Sequence, residues 1–412
     1  MLKKIGSSEH ALIVVGIGTA LVLLGDQTLY TVLPSPSIAA QAGVSIAMVG
    51  VLLSANRFAR LFLNGIAGAL FDRLPRRMLM LAAMTAGVIS NACYAFGNGP
   101  AVMLIGRVLW GAAWSGIWIG GNAMALDISN DANRGSITGR LAMWMSLATA
   151  ATNFTGGLFT DLFTYRGALL LSTGLGLIGF MIWLLFLPET RRGPTLPAVE
   201  PALKAPDKNH FPWKPVLIAA APLFAVQFSI SGVLLSTTIL WLSQYIDTGF
   251  TIGKLLIPLA TLTGVLSGAR VLIGTVSAPY IGALTDRYKQ RWTVLALVLL
   301  TGMLGISLMS TPWLSIALIG TILSALTSRC VPAISAALIG DKVQPERRSR
   351  GLGVVLTVSD LGATLGPLIG LALVPVIGIP RVYLICAGLY AVGVVLSTAM
   401  ALAKPRPEKQ PA

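Results

Sequence analysis

Gly68-Ala69-Leu70-Phe71-Asp72-Arg73-Leu74-Pro75-Arg76-Arg77 and Gly282-Ala283-Leu284-Thr285-Asp286-Arg287-Tyr288-Lys289-Gln290-Arg291 are one ten-residue pattern written twice, 214 positions apart. The same shift carries Asp127 onto Asp341. Each copy ends a long apolar run and opens another, so each reads as a short basic loop between two helices. Both copies follow the second helix of their half. The halves therefore share one parallel topology, related by an axis along the membrane normal.

The composition around these loops requires a membrane. Of 412 residues, 55% are hydrophobic and 11% charged, with a mean hydropathy of +0.79. A soluble chain carries roughly 25% charged residues, so this one cannot coat two or three soluble domains. A hydrocarbon core about 30 Å thick takes ~20 apolar residues per helix. Charge clusters and Gly, Pro or Asn turns divide the chain into twelve such spans. They are 11–33, 46–70, 77–97, 101–125, 138–159 and 166–187, then 215–241, 255–283, 292–310, 312–339, 351–376 and 380–402. The predicted fold is all-α: an N-terminal six-helix bundle over 1–190, a polar Pro-rich linker over 191–214, and a C-terminal six-helix bundle over 215–412. The start, Met1-Leu2-Lys3-Lys4 before an apolar run, reads as a retained first span rather than a signal peptide.

The net charge of +15 follows from topology. With the N-terminus inside, cytoplasmic segments collect 22 of the 30 basic residues, and the opposite loops hold only Arg166, Lys254 and Arg381. Both termini are then cytoplasmic, a bacterial inner membrane is the expected location, and no nucleic-acid partner is implied. Cys93, Cys330 and Cys386 share no short spacing, and His10 and His210 lie outside the spans. Neither a disulfide framework nor a metal site is indicated. There is no GxxxxGK[ST] phosphate loop and no nucleophile–base constellation, so neither direct ATP drive nor enzymatic catalysis is expected, and no cofactor.

At these loops the chain resembles the major facilitator superfamily along essentially its whole length. The loop between helices 2 and 3 of that family reads Gly-x-x-x-Asp-Arg-x-Gly-Arg-Arg. Gly68, Asp72, Arg73, Arg76 and Arg77 match it, with Pro75 in place of glycine. The second copy keeps Asp286 and Arg287 but has Lys289 and Gln290 in the later places. Pro188-Glu189-Thr190 matches the family's common end to helix 6. The resemblance implies a cytoplasmic latch of Gly68, Asp72, Arg73 and Arg77, with Asp286 and Arg287 in the second half. Asp72 would face the positive N-terminal end of helix 11, here Arg350-Gly351-Leu352-Gly353. That contact would be made in one state of the cycle and broken in the other.

Ionisable residues within spans carry the sharper functional signal, because each costs several kcal/mol or must find a partner. They are Asp26, Arg57, Arg60, Arg107, Arg270, Arg329 and Asp360. By helical rise Arg57, Arg270 and Arg329 lie roughly 16–18 Å from the inner ends of their spans, near the midplane. Asp26 and Arg107 fall in the outer half, and an ion pair between them is either part of proton coupling or a static brace. Arg107 with Gly111 also resembles the family's helix 4 motif, which is associated with coupling. Arg57, Arg270 and Arg329 are the expected seats of the solute's negative group, with a proton on Asp26 or Asp360 coupled to its movement. The counter-reading has Arg60 snorkel to the inner surface and Arg57 or Arg329 pair with Asp360. Five arginines against two carboxylates leave cations for an anionic or zwitterionic solute, since the guanidinium fork suits carboxylate and phosphate.

Arg107, Trp114 and Trp118 share one face of the fourth span, with Trp110 beside it; that stripe either stacks on a flat solute or packs between helices. Tyr30 and Gln227 are further candidates for a cavity lining. The efflux branch of the family carries Gly-Pro in helix 5, and Asn153-Phe154-Thr155-Gly156-Gly157 lacks it. The expected protein is a monomeric, proton-coupled secondary transporter that moves a small amphipathic organic solute through the lipid bilayer by alternating access. A multidrug efflux antiporter and a lipid flippase or scramblase are the alternatives.

Overall fold

The computed structural model describes residues 7–130, 133–191, 213–246, 249–252, 255–288, 290–343 and 348–402. The predicted linker falls almost wholly outside them. Helices α1 (Ser7–Val32), α3 (Ile46–Arg73), α4 (Arg76–Phe96), α5 (Pro100–Asp127) and α6 (Arg134–Phe186) build the first half, with a short α2 (Pro36–Gln41) on the loop after α1. In the second half α7 (Trp213–Val226) runs through a π-helical segment (Gln227–Leu234) into α8 (Leu235–Leu242). Helices α9 (Leu259–Tyr288), α10 (Arg291–Met309), α11 (Leu314–Lys342), α12 (Arg348–Ile377) and α13 (Ile379–Leu402) complete it.

Among the described residues eleven helices are long and apolar enough to cross a membrane, and α6 counts twice. Its 53 residues would extend roughly 80 Å, far beyond a ~30 Å core. Thr164 breaks it with φ 70° and ψ 167°, and the Thr164 hydroxyl accepts from the Gly167 N–H at 3.4 Å as a cap for the second limb. The first limb runs alongside α1, placing Trp144 at Gly16 and Gly156 at Thr28. The second limb returns, placing Gly179 and Trp183 at Gly18. Twelve spans result, as the sequence predicts.

Most span boundaries move by a few residues, and one changes in kind. The eighth span starts at Leu259 and not at 255, because Leu255–Pro258 is a strand, β2, paired antiparallel with β1 (Gly249–Ile252). Pro258 disfavours helical backbone at Ile257 and fits a helix start itself.

The apolar cores follow the two halves. One cluster joins Leu12, Trp110, Met145 and Trp183; another joins Val216, Trp241, Leu299 and Tyr390. A third crosses between the halves at the end bearing the β-hairpin, where Leu29, Leu52 and Tyr165 meet Ile239, Ala260 and Leu371. Backbones approach closely there. A Cβ on Gly157 would lie 2.1 Å from the Ala260 carbonyl oxygen, and one on Gly50 would lie 3.0 Å from that of Pro367. At the opposite, basic-loop end the facing helices separate. Gly65 and Gly68 of α3, Gly139 of α6, Gly282 of α9 and Gly353 of α12 all have open space where a side chain would stand. The halves are sealed at the hairpin end and parted at the basic-loop end.

Candidate transport site

The two halves meet at mid-depth through polar side chains. In α3, Arg57, Arg60 and Asn64 recur at i, i+3 and i+7 and so share one face. Arg57 donates through Nε to the Tyr30 hydroxyl at 3.3 Å and through Nη2 to the Ser231 carbonyl at 3.4 Å. The Tyr30 hydroxyl in turn donates to the Leu53 carbonyl at 2.8 Å, and the Tyr30 ring stacks under both Arg57 and Arg107. Ser231 belongs to the π-helical segment, a widened turn that often marks a functional position. Its hydroxyl donates to the Gln227 side chain at 2.5 Å, and the Gln227 amide donates to Ser359 of α12 at 2.9 Å.

Beside Ser359 stands Asp360. Its carboxylate takes Arg60 at 3.2 Å on one oxygen and Asn64 at 3.4 Å on the other. This corrects the counter-reading in which Asp360 pairs with Arg57 or Arg329 and Arg60 snorkels. Arg60 sits 13 residues, about 20 Å, before the end of α3, too deep to reach the surface, and the tertiary packing brings α12 to it. The pair is 16% and 17% exposed, and it bridges the two halves.

Asp26 and Arg107 do form an ion pair, at 4% and 0% exposure. Arg107 also donates to the Leu52 carbonyl at 2.9 Å. All these partners belong to the first half. Trp110 is fully buried, while Trp118 on the Arg107 face is 38% exposed, with Trp114 stacked between them. Arg270 lies away from the central cluster, buried, with Nη1 donating to Thr238 at 2.8 Å. Arg329 is separate again: its stem lies against Gly274 of α9.

At the basic-loop end the latch residues are apart from their expected partner. Asp72 is exposed; among the described residues its carboxylate has no partner, and its carbonyl accepts from Arg191 at 3.0 Å. Arg77 donates to the Leu184 carbonyl at 2.5 Å. Its second-half counterpart Arg291 pairs with Asp286 at 3.3 Å and Asp341 at 2.7 Å. In the first half it is Arg76 that takes Asp127, at 3.0 Å. Arg73 and Arg287 are exposed. Glu189 was legible only as a motif letter. Its two oxygens accept the backbone N–H groups of Arg76 and Arg77 at 3.1 and 3.0 Å, capping the first turn of α4.

A complementary contact closes the hairpin end. Asp161 of α6 accepts from the backbone N–H of Thr261 at 2.7 Å and from its hydroxyl at 2.6 Å, capping α9 across the two halves. Asp161→Ala is expected to weaken this seal by about 1 kcal/mol, roughly a fivefold shift of the conformational equilibrium. Asp72→Asn is expected to shift it the opposite way. A cysteine introduced at Gly65, which faces open space, reads both: alkylation slows with Asp161→Ala and quickens with Asp72→Asn. Equal rates in all three proteins would remove both contacts from the gating scheme.

Residues 15–275 and 254–412 match the family model described as Major Facilitator Superfamily. The chain belongs to the major facilitator superfamily. It is thus a multi-pass membrane protein of a family whose members carry small-molecule substrates across the membrane. Among solved superfamily structures, the nucleoside transporter NupG superposes with a TM-score of 0.76 at 15% identity, covering 96% of this chain and 100% of that one. A bacterial homolog of the human lysosomal transporter Spinster, in an inward-facing and occupied conformation, gives 0.73 at 16% identity, with 95% of each chain covered. The human organic anion transporter MFSD10 gives 0.64 at 18% identity, covering 95% and 100%. These likenesses concern the fold. No curated protein matches the sequence.

Proposed function

We propose that this chain is a proton-coupled secondary transporter for a small amphipathic solute bearing an anionic or zwitterionic group, held between the two halves. The observation that carries the reading is the mid-depth cluster in which Arg57 spans from α3 to the Ser231 carbonyl while Arg60 is neutralised by Asp360. Among the described residues Arg57 has only a hydroxyl and a carbonyl as hydrogen-bond partners, so it keeps a full positive charge at the junction of the moving halves. An apolar surround favours filling that place with an anion. Tyr30, Gln227 and the Trp114–Trp118 stripe supply polar and flat apolar contacts for the rest of the solute. Arg270 and Arg329 supply further positive charge in the second half.

In this reading the basic-loop end is cytoplasmic, both termini lie inside, and the state described is inward-open. Gly68, Asp72, Arg73, Arg77, Asp286 and Arg287 close that end in the opposite state. The coupling acid is Asp360 rather than Asp26. Asp360 is paired across the halves, so the pair must open as they rock; protonation releases Arg60 and Asn64. Asp26 and Arg107 travel together within the first half and serve as a brace. The chain acts as a monomer in a bacterial inner membrane.

The test is solute binding by thermal shift of purified protein with a panel of organic anions, cations and neutral analogues. A ligand of the folded state raises apparent stability. Anions are expected to give the shift, and Arg57→Gln to remove most of it, about 10-fold or more in affinity for a lost charged hydrogen bond. A panel in which only cations stabilise the protein would favour the multidrug antiporter instead. The lateral groove of about 330 Å³ between α7, α12 and α13 is lined by apolar residues such as Leu217, Phe224 and Val392. It lies on the flank of one half and carries no basic track, so it lends no support to the flippase alternative.

A further inference from the structure

We infer that the anionic group of the solute is a carboxylate, and that it is seated on Arg270. This inference rests on the anionic-solute reading above and assigns the group that reading leaves open. Arg270 is 5% exposed, and among the described residues only Nη1 of its three side-chain nitrogens has a partner, the Thr238 hydroxyl at 2.8 Å. Thr238 is itself fixed, donating to the Leu234 carbonyl at 2.5 Å. Nε and Nη2 are buried and without hydrogen-bond partners. Those two N–H groups lie on the same edge of the guanidinium, parallel and spaced to match the two oxygens of a carboxylate. One nitrogen is anchored and the bidentate edge is left free. The buried Ser267 hydroxyl, also without a partner, stands one turn earlier on α9.

The first half of the protein supplies an internal comparison. There too a fully buried guanidinium lies in the hairpin-side half of the membrane, but Asp26 answers it. The repeat shift that relates the halves carries Asp26 onto Leu240, two residues from Thr238. The same shift carries Arg107 onto Thr321 and Asn56 onto Arg270, so the second half carries its buried cation on a different helix, with leucine at the position of the acid. A buried charge without a counter-charge costs far more than a polar group, so the protein without solute holds a standing destabilisation that a carboxylate relieves. A cation retained at that cost fits a binding group better than a structural one.

Arg270 starts 11 residues into α9, about 16 Å below its hairpin end. Its side chain leans back towards that end, and its Nη1 meets Thr238 of α8, on the hairpin side of Ser231. Arg57 then takes a second anionic or polar group of the solute at the central cluster, and Arg270 its carboxylate.

The experiment uses the purified full-length protein and thermal unfolding. The probes are aliphatic and aromatic monocarboxylates, each paired with its own primary amide, and the inorganic arms are chloride and phosphate. At least one carboxylate is expected to raise the Tm of the wild type, while its amide and both inorganic anions leave it unchanged. Arg270→Gln loses that response, and its unliganded Tm equals or exceeds that of the wild type because the uncompensated charge is gone. Arg270→Lys keeps the charge without the fork and is expected to bind at least about 10-fold more weakly; it decides the matter should the glutamine variant not fold. A carboxylate response that persists in both variants but disappears in Arg57→Gln removes Arg270 and leaves the anionic-solute reading standing. A shift reproduced by chloride or phosphate overturns the carboxylate assignment. The absence of any anion response in the wild type overturns both.

Discussion

Asp360→Asn is expected to abolish accumulation of solute driven by a pH gradient while leaving solute exchange between the two sides of a vesicle in place. The carboxylate of Asp360 holds Arg60 at 3.2 Å and Asn64 at 3.4 Å, both from the other half of the protein. A carboxylate in this place either pulls the halves together when charged or releases them when protonated. An asparagine cannot change charge, so the halves rock with the solute alone and the proton no longer counts. Reconstituted vesicles with an imposed pH difference measure this directly: uptake should fall to the level set by the solute gradient. If the asparagine variant still concentrates solute in response to pH, the coupling acid lies elsewhere.

Asp26→Asn is expected to produce the largest loss of stability. The change leaves Arg107, fully buried, with carbonyl oxygens and the Tyr30 ring but no counter-charge. Breaking one side of a buried pair costs about 3–5 kcal/mol. Thermal unfolding should drop steeply in Asp26→Asn and recover in part in the double variant Asp26→Asn with Arg107→Gln, where no charge is stranded. Because both residues belong to the first half, the protein that does fold should retain its response to a pH gradient. A variant of wild-type stability would mean that the pair braces nothing.

Several parts of this arrangement were legible residue by residue. Asp26 and Arg107 could be matched because each lay roughly 9–12 Å from the end of its span, a depth that follows from helical rise alone. The twelve spans, including the break that divides α6, followed from apolar run length. The Thr164 turn itself carries neither glycine nor proline and could not be read as a turn. Arg60 was misread as a surface cation because nothing in α3 reveals what lies opposite it. Glu189 as the cap of α4 and Asp161 as the cap of α9 were invisible for the same reason. Each joins groups 100 or more residues apart, and only docking of helices brings them within 3 Å or so.

The sequence by itself determined that the chain crosses a membrane twelve times, that its two halves repeat, and that more cations than anions lie within the spans. Those properties depend on local quantities, namely the length of apolar runs, the period of a helix and the charge count of a segment. Only the tertiary structure decided that Asp360 answers Arg60, that the free edge of Arg270 has no partner among the described residues, and which end is sealed. Pairings between helices depend on rotation and depth after packing, and rows of small residues such as Gly157 against Ala260 fix those by letting backbones touch. A single sequence records which side chains are available, and close packing selects which of them meet.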